Sequence, residues 1–195
     1  MAVDAVVGTY EYPTPNETIF TGHHGPVVKS KKVKTGQGVL EAGLIVAASA
    51  DGNVVPYGKE SVTLGTGDGS ATNFSGSFSN IPLAPGSITV TDGTQTLRDD
   101  GCGNLYGDGS GTVNYETGEI AVSFASAVAS GASVTAEATN QPLGVLIERC
   151  DTDKEDAAAV LVHGTVWKER LLVGSSAPEA EDLKKLEDIG IWAMP

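Results

Sequence analysis

The apolar positions of this chain follow two kinds of pattern, and each kind keeps to its own stretch. Between residues 60 and 140 they alternate with polar ones. Ile88 and Val90 alternate with Ser87, Thr89 and Thr91; Ile120, Val122 and Phe124 with Ala121 and Ser123; Val134, Ala136 and Ala138 with Thr135 and Glu137. A period of two predicts strands with one buried and one wet face. Asp92-Gly93 predicts a two-residue type I′ hairpin turn, and Glu116-Thr117-Gly118 a second hairpin turn.

Outside this stretch the apolar residues come in runs. Gly144–Arg149 and Ala159–His163 are short and rich in Val, Leu and Ile, which predicts buried strands. Between them Thr152-Asp153-Lys154-Glu155 has the form of a capping box for one helical turn, and Gly164 separates the second run from a third. Val27–Val33, Val39–Ala48 with its break at Gly43, and Val54-Val55-Pro56 behind the turn Asp51-Gly52-Asn53 predict further strands. One helix is expected. Ser176-Ala177-Pro178-Glu179 opens it, Ala180, Leu183, Leu186 and Ile189 form its apolar side, and Gly190 ends it.

The expected fold is therefore mainly β: a discontinuous core of residues 22–59 plus 141–195 with one C-terminal helix, interrupted by an all-β, sandwich-like insertion at 60–140. Residues 1–21 form an arm. Pro13, Pro15, Gly8 and Asn16 break any period there, yet Tyr10, Tyr12, Ile19 and Phe20 are large apolar groups in a segment with no core of its own. Disordered tails are poor in such residues, so these side chains suit an arm that orders on a partner.

Composition sharpens the division. The chain has 195 residues and a formal net charge of −13, and only 19% of its residues are charged. Residues 60–140 hold nine acidic residues against one basic one, Arg98, and 13 of the 25 glycines. The acidic balance opposes binding to nucleic acid, whose phosphates require basic surface. No apolar window reaches the length of a membrane span, and the N-terminus lacks the basic start and apolar core of a signal peptide. These features predict a protein made in the cytoplasm, with no nucleic-acid or membrane partner.

Four of the twelve basic residues, Lys29, Lys31, Lys32 and Lys34, fall within one short strand. They guard a solvated edge or offer a basic strip to an acidic partner. Catalytic and metal chemistry find little footing. Adjacent His23 and His24 would point to opposite faces of a strand. The carboxylates from Asp99 to Asp108 miss the spacing of a calcium loop and read as turn residues. Cys102 and Cys150 lie far apart in a chain that is not disulfide-rich, which favours free thiols. No nucleophile–base spacing is present, so neither an enzyme nor a cofactor is expected.

Several stretches of the outer segments resemble the head decoration (capsid cement) proteins of tailed bacteriophages, the family of the phage lambda head decoration protein. They are FTGHHGPVV at 20–28, TGQGVLEAGL at 35–44, GNVVPY at 52–57, GVLI at 144–147, VLVHGTV at 160–166 and the closing helix with Gly190-Ile191-Trp192. The insertion at 60–140 departs from the family pattern. The resemblance implies a homotrimer on the outer surface of the expanded head, where it binds the major capsid protein and stabilises the virion. It assigns the arm, with Tyr10, Tyr12, Ile19 and Phe20, to capsid binding, and puts Lys29–Lys34 near that contact. A second reading makes the inserted β domain a module that binds a glycan or a host surface; Tyr106 and Tyr115 are its only tyrosines, and it has no tryptophan.

Overall fold

The computed structural model describes Ile19 and residues 25–195, and those residues are almost entirely strand, turn and loop. Four strands come first: β1 (Val27–Lys32), β2 (Val39–Leu40), β3 (Ile45–Ala48) and β4 (Val54–Pro56). Eight follow: β5 (Lys59–Thr66), β6 (Asn73–Ser77), β7 (Thr89–Thr91), β8 (Thr96–Asp99), β9 (Asn104–Gly107), β10 (Gly109–Val113), β11 (Glu119–Phe124) and β12 (Ser133–Thr139). The chain closes with β13 (Pro142–Leu146), β14 (Cys150–Asp151), β15 (Ala157–Trp167), α1 (Ala180–Asp188) and β16 (Ile191–Met194).

Strands from the two outer segments build one sheet in the order β1-β15-β13-β3-β4, with β16 parallel to β15. Both faces of this sheet are covered, which explains the unbroken apolar runs. Ile45, Val145 and Leu161 point into a core shared with Leu186 of α1 and Ile191 of β16. Their neighbours Val46, Leu146 and Val160 point the other way, onto Leu40 and Cys150 of the small β2-β14 pair. The sheet curls: Val33, just past β1, bridges to Val54 of β4, and the Lys34 N–H donates to the Val54 carbonyl at 3.1 Å.

Gly164 does not end a strand. β15 runs eleven residues through it. Val28 faces Leu161 while Val27 faces His163, so Val162 is an extra residue on β15, a bulge. The bulge shifts the alternation, and Leu161 and Val166 reach the same core although five positions separate them.

The strands β5 through β12 form a separate eight-stranded sheet, β5-β12-β7-β8-β9-β10-β11-β6. Its alternating residues behave as their period demands. Val90, Leu97, Leu105, Ile120, Val122, Phe124, Val134 and Ala136 are buried in one core and their neighbours face outward. The sandwich-like core comes from a single sheet folding over on itself into a nearly closed barrel. Its ends β5 and β6 meet through side chains: Phe74 lies over Gly65 and Leu64 over Gly76, where a Cβ would come within 3.0 Å and 2.7 Å respectively.

Three local expectations change. The turn at Asp92-Gly93 is a four-residue loop between Thr91 and Thr96, because the Asp92 carboxylate accepts the N–H groups of Thr94 and Gln95 at 2.8 and 2.6 Å. Thr152 caps no helical turn. Its hydroxyl donates to the Gly38 carbonyl (2.8 Å) and accepts the Gln37 N–H (3.0 Å), tying β14's loop to the turn before β2. The helix is capped by Glu179, not Ser176. The Glu179 and Asp182 side chains satisfy each other's backbone N–H groups, Asp182 Oδ2 at 2.9 Å. Of the expected apolar positions, Leu186 is buried, Leu183 and Ile189 half-buried, and Ala180 is exposed.

Candidate binding surfaces

Tyr10, Tyr12 and Phe20 lie outside the described residues, as do His23 and His24. Ile19 is described, and it is not an exposed contact. It is 4% exposed, packed in the core with Ile45, Leu161 and Leu186, and its carbonyl accepts the Trp167 N–H at 2.9 Å. Gly43 (φ +88°) makes the seat, since a Cβ there would meet the Arg170 carbonyl and approach Ile19 Cδ1 to 3.5 Å. Burying an isoleucine is worth about 1.5–3 kcal/mol. That burial corrects the expectation that Ile19 faces a partner: its side chain is part of the core.

The lysines lie on β1, the end strand of the core sheet, opposite Ala157–Val160 of β15 and away from the Trp167 end where Ile19 sits. Lys29, Lys32 and Lys34 are exposed and Lys31 is half-buried. Lys29 and Lys31 share a face with buried Val33, so their stems run over the side holding Ala158 and Val160; Lys32 projects from the other side. Val27 and Val28 are 42% and 40% exposed. Beside them His163 and Trp192 stack edge to face, ring centroids 5.4 Å apart. The ion pairs among the described residues are Arg149–Glu41, Lys154–Asp151 and Lys185–Glu181, and none involves β1.

Asp99, Asp100 and Asp108 of the insertion are committed to its own loops. Asp99 accepts the Tyr115 hydroxyl at 2.6 Å and the N–H groups of Gly86 and Gly101. Burial and that carboxylate push the Tyr115 hydroxyl up to about 12. Asp100 accepts the Asn104 side chain and the Cys102 and Asn104 N–H groups, which hold its carboxyl below the ordinary carboxylate range. Asp108 accepts the Thr96 N–H at 2.9 Å. Among the described residues no group of three or more His, Cys, Asp or Glu is arranged to hold a metal ion. Cys102 is exposed and Cys150 buried, both free; burial, with Glu155 nearby, pushes the Cys150 thiol up to about 11.

Where the two sheets meet there is a cleft of about 450 Å³ lined by Tyr57, Lys59, Arg98, Glu137, Asp182 and Lys185 among others. Its polar groups bind across the junction. The Tyr57 hydroxyl donates to Asp182 Oδ1 at 2.8 Å, and burial followed by that carboxylate raises its pKa. Lys185 Nζ donates to Thr139 Oγ1 at 2.9 Å. Asn140, only 1% exposed, accepts the Gly58 N–H (3.0 Å) and donates to the Pro56 carbonyl (3.1 Å), joining the two crossings between the sheets. Sequence reading missed Asn140, because one polar residue at a strand end carries no periodic signal.

Arg98 and Tyr106 stand opposite each other on β8 and β9, and Ser110 of β10 follows Tyr106 in the same row. Tyr106 is 57% exposed, the most open large apolar side chain described. Among the described residues no helix is long and apolar enough to cross a membrane. Comparison of the chain with protein-family models, curated proteins and solved structures finds no match.

Proposed function

We propose that this chain is a structural head decoration protein that binds the major capsid protein on the outer surface of a tailed-phage head, as a homotrimer, without catalysis. The observation that carries the reading is the way the stretches resembling that family fold together. Val39–Leu40, Ile45–Ala48, Val54–Pro56, Pro142–Leu146, Ala157–Trp167 and the closing helix surround one pair of cores, although 82 residues separate Gly58 from Asn140 in sequence. The insertion is then an addition to a continuous module. Ile19 supports the same reading, since it fixes the root of the arm in the core sheet at Trp167.

The mechanism is multivalent. Three arms on one trimer engage neighbouring coat subunits, and once one arm is bound the others bind at high effective concentration. Bridging those subunits raises the barrier to separating them. Co-sedimentation with expanded heads lacking their decoration protein tests this. The full chain should bind saturably, and a chain beginning at Thr18, which keeps the Ile19 anchor, should lose that binding. If neither binds heads of the matching phage, the decoration reading fails.

One observation favours a second reading, in which the insertion binds a glycan. Tyr106 presents its ring on the outer face beside Arg98 and Ser110, as a stacking platform for a sugar would require. Tyr106→Ala abolishing retention on a glycan array would support it, and no retention of the wild type would remove it.

A further inference from the structure

Strand β1 pairs with β15 along one edge, and its other edge meets β4 only at the far end, where Val33 bridges to Val54. Among the described residues the rest of that edge, from Val28 to Ser30, has no strand beside it. The hydrogen-bond phase identifies the groups on the open side. Val33, opposite Asp156, donates to its carbonyl at 3.0 Å. In an antiparallel ladder bonded and non-bonded pairs alternate, so Lys31 and Lys29 also bond inward, while Val28 and Ser30 turn their N–H and C=O groups outward and Lys32 turns toward β4 at the Val33–Val54 bridge. The opposite strand agrees: Ala159, facing Ser30, gives its carbonyl to the Ile147 N–H on its far side at 3.1 Å.

We propose that the outward edge of β1 is a strand-addition site for an extended acidic segment of a partner protein. Three observations select that occupant. Backbone N–H and C=O groups at Val28 and Ser30, turned away from β15 and short of the β4 bridge, complement another polypeptide strand, not a phosphate backbone. The four lysines on and just beyond β1 enter none of the ion pairs described, in a chain whose net charge is −13. Pairing with β1 of a second copy would set lysine against lysine, which is destabilising across a strand pair. Carboxylates at alternate positions of the incoming strand would meet Lys29 and Lys31 on one face or Lys32 on the other. The exposed Val27 and Val28 would pack against its apolar positions.

The inference rests on the decoration reading only for the source of the strand, a coat subunit, so it is tested first without heads. The probe is an end-blocked heptapeptide alternating glutamate and valine, with a lysine–valine peptide as control, added to the full-length protein. Amide exchange at Val28 and Ser30 should slow by about tenfold or more with the acidic peptide at saturation, while Lys29 and Lys31, already bonded to β15, stay unchanged. Ser30→Pro removes an outward donor without breaking the inner ladder and should abolish protection at Val28. Lys29→Glu with Lys32→Glu should transfer the preference to the lysine peptide, and this pair carries the test if the proline variant fails to fold.

No slowing in the wild type, or equal slowing by both peptides, overturns the proposal. So does a self-associated state lost on Ser30→Pro, which would make a second copy the occupant. Heads that bind wild type and Ser30→Pro equally would overturn the proposal and leave the decoration reading standing. Peptide protection without head binding would do the reverse.

Discussion

The two sheets of this protein bury their residues differently. The core sheet is covered on both faces, by α1 on one side and the β2-β14 pair on the other, so adjacent residues such as Val145 and Leu146 enter different cores. The eight-stranded sheet has one core, and its outer face is rich in Ser, Thr and Gly with Tyr106 among them. Two covers make the core sheet depend on residues remote in sequence, Ile19 and Leu186 included. A sheet that curls on itself depends only on its own strands. The difference predicts that damage stays on the side where it is made.

The largest effect should come from Leu161→Ala. Leu161 is fully buried, at the β1-β15-β13 crossing, and leucine-to-alanine changes in such cores cost about 2–5 kcal/mol. Denaturant unfolding should show that loss, while exchange protection of the β10–β11 amides persists through the core transition. Joint loss of protection in both sheets would break the comparison and make the protein one cooperative unit.

Thiol labelling sharpens the same contrast. Cys102 lies on an exposed loop of the insertion, whereas Cys150 is buried in the core with its thiol pushed up to about 11. Raised from an ordinary 9.0 to about 11, Cys150 is roughly 100-fold poorer in thiolate near neutral pH. One equivalent of a thiol reagent should react quickly with the native protein and the second only as the core unfolds. Two fast equivalents would show the core opening on its own.

The junction comes next in size. Asn140→Ala strands the Gly58 N–H and the Pro56 carbonyl in a buried site and should cost about 1–3 kcal/mol. Its second consequence is orientational. Without the clamp, residual dipolar couplings of the two sheets should no longer fit one alignment tensor, although each sheet still fits its own. A single shared tensor in the variant would assign the junction to Tyr57–Asp182 and Lys185–Thr139 instead.

The same contrast governs how much the sequence revealed. Ile120, Val122 and Phe124 announced their strand because one face is wet, and all three are buried. The runs in the core announced buried strands without saying which residue faces which core, and the bulge at Val162 hid the true length of β15. The helix began later than expected: two acidic side chains, Glu179 and Asp182, satisfy its first N–H groups, and a cap made of carboxylates reads as ordinary surface charge. At the candidate site, the lysines were legible as a cluster and lie on an edge as a strand guard or a partner strip would. Ile19 was legible only as a large apolar group in a proline-rich stretch. Its seat is formed by Gly43 and strands far away in sequence, which no local pattern encodes.

The smallest effect belongs to pH, and it divides between the regions. Backbone N–H groups of Ser70 and Ala71 hold the Asp68 carboxyl below its usual value, and Asn104 with the Cys102 N–H does the same for Asp100. In the core, Ser49 lowers Asp51 and Lys154 lowers Asp151. Each of these folded-state values lies below the unfolded one, so each contribution is fully present above the unfolded carboxylate pKa of about 3.9. It is lost as pH falls through the lower folded value. Stability should therefore decline below about pH 4 in both regions. Asp68→Asn with Asp100→Asn should flatten that decline for the insertion's amides alone, because asparagine keeps an acceptor in each loop and removes the titration. The measurement is the denaturation midpoint from pH 6 to pH 2.5, read region by region from resolved amide signals. An insertion limb as steep in the double variant as in the wild type would mean that another carboxylate sets its acid sensitivity, foremost Asp92, which despite desolvation the Gln95 and Thr94 N–H groups hold below its usual value.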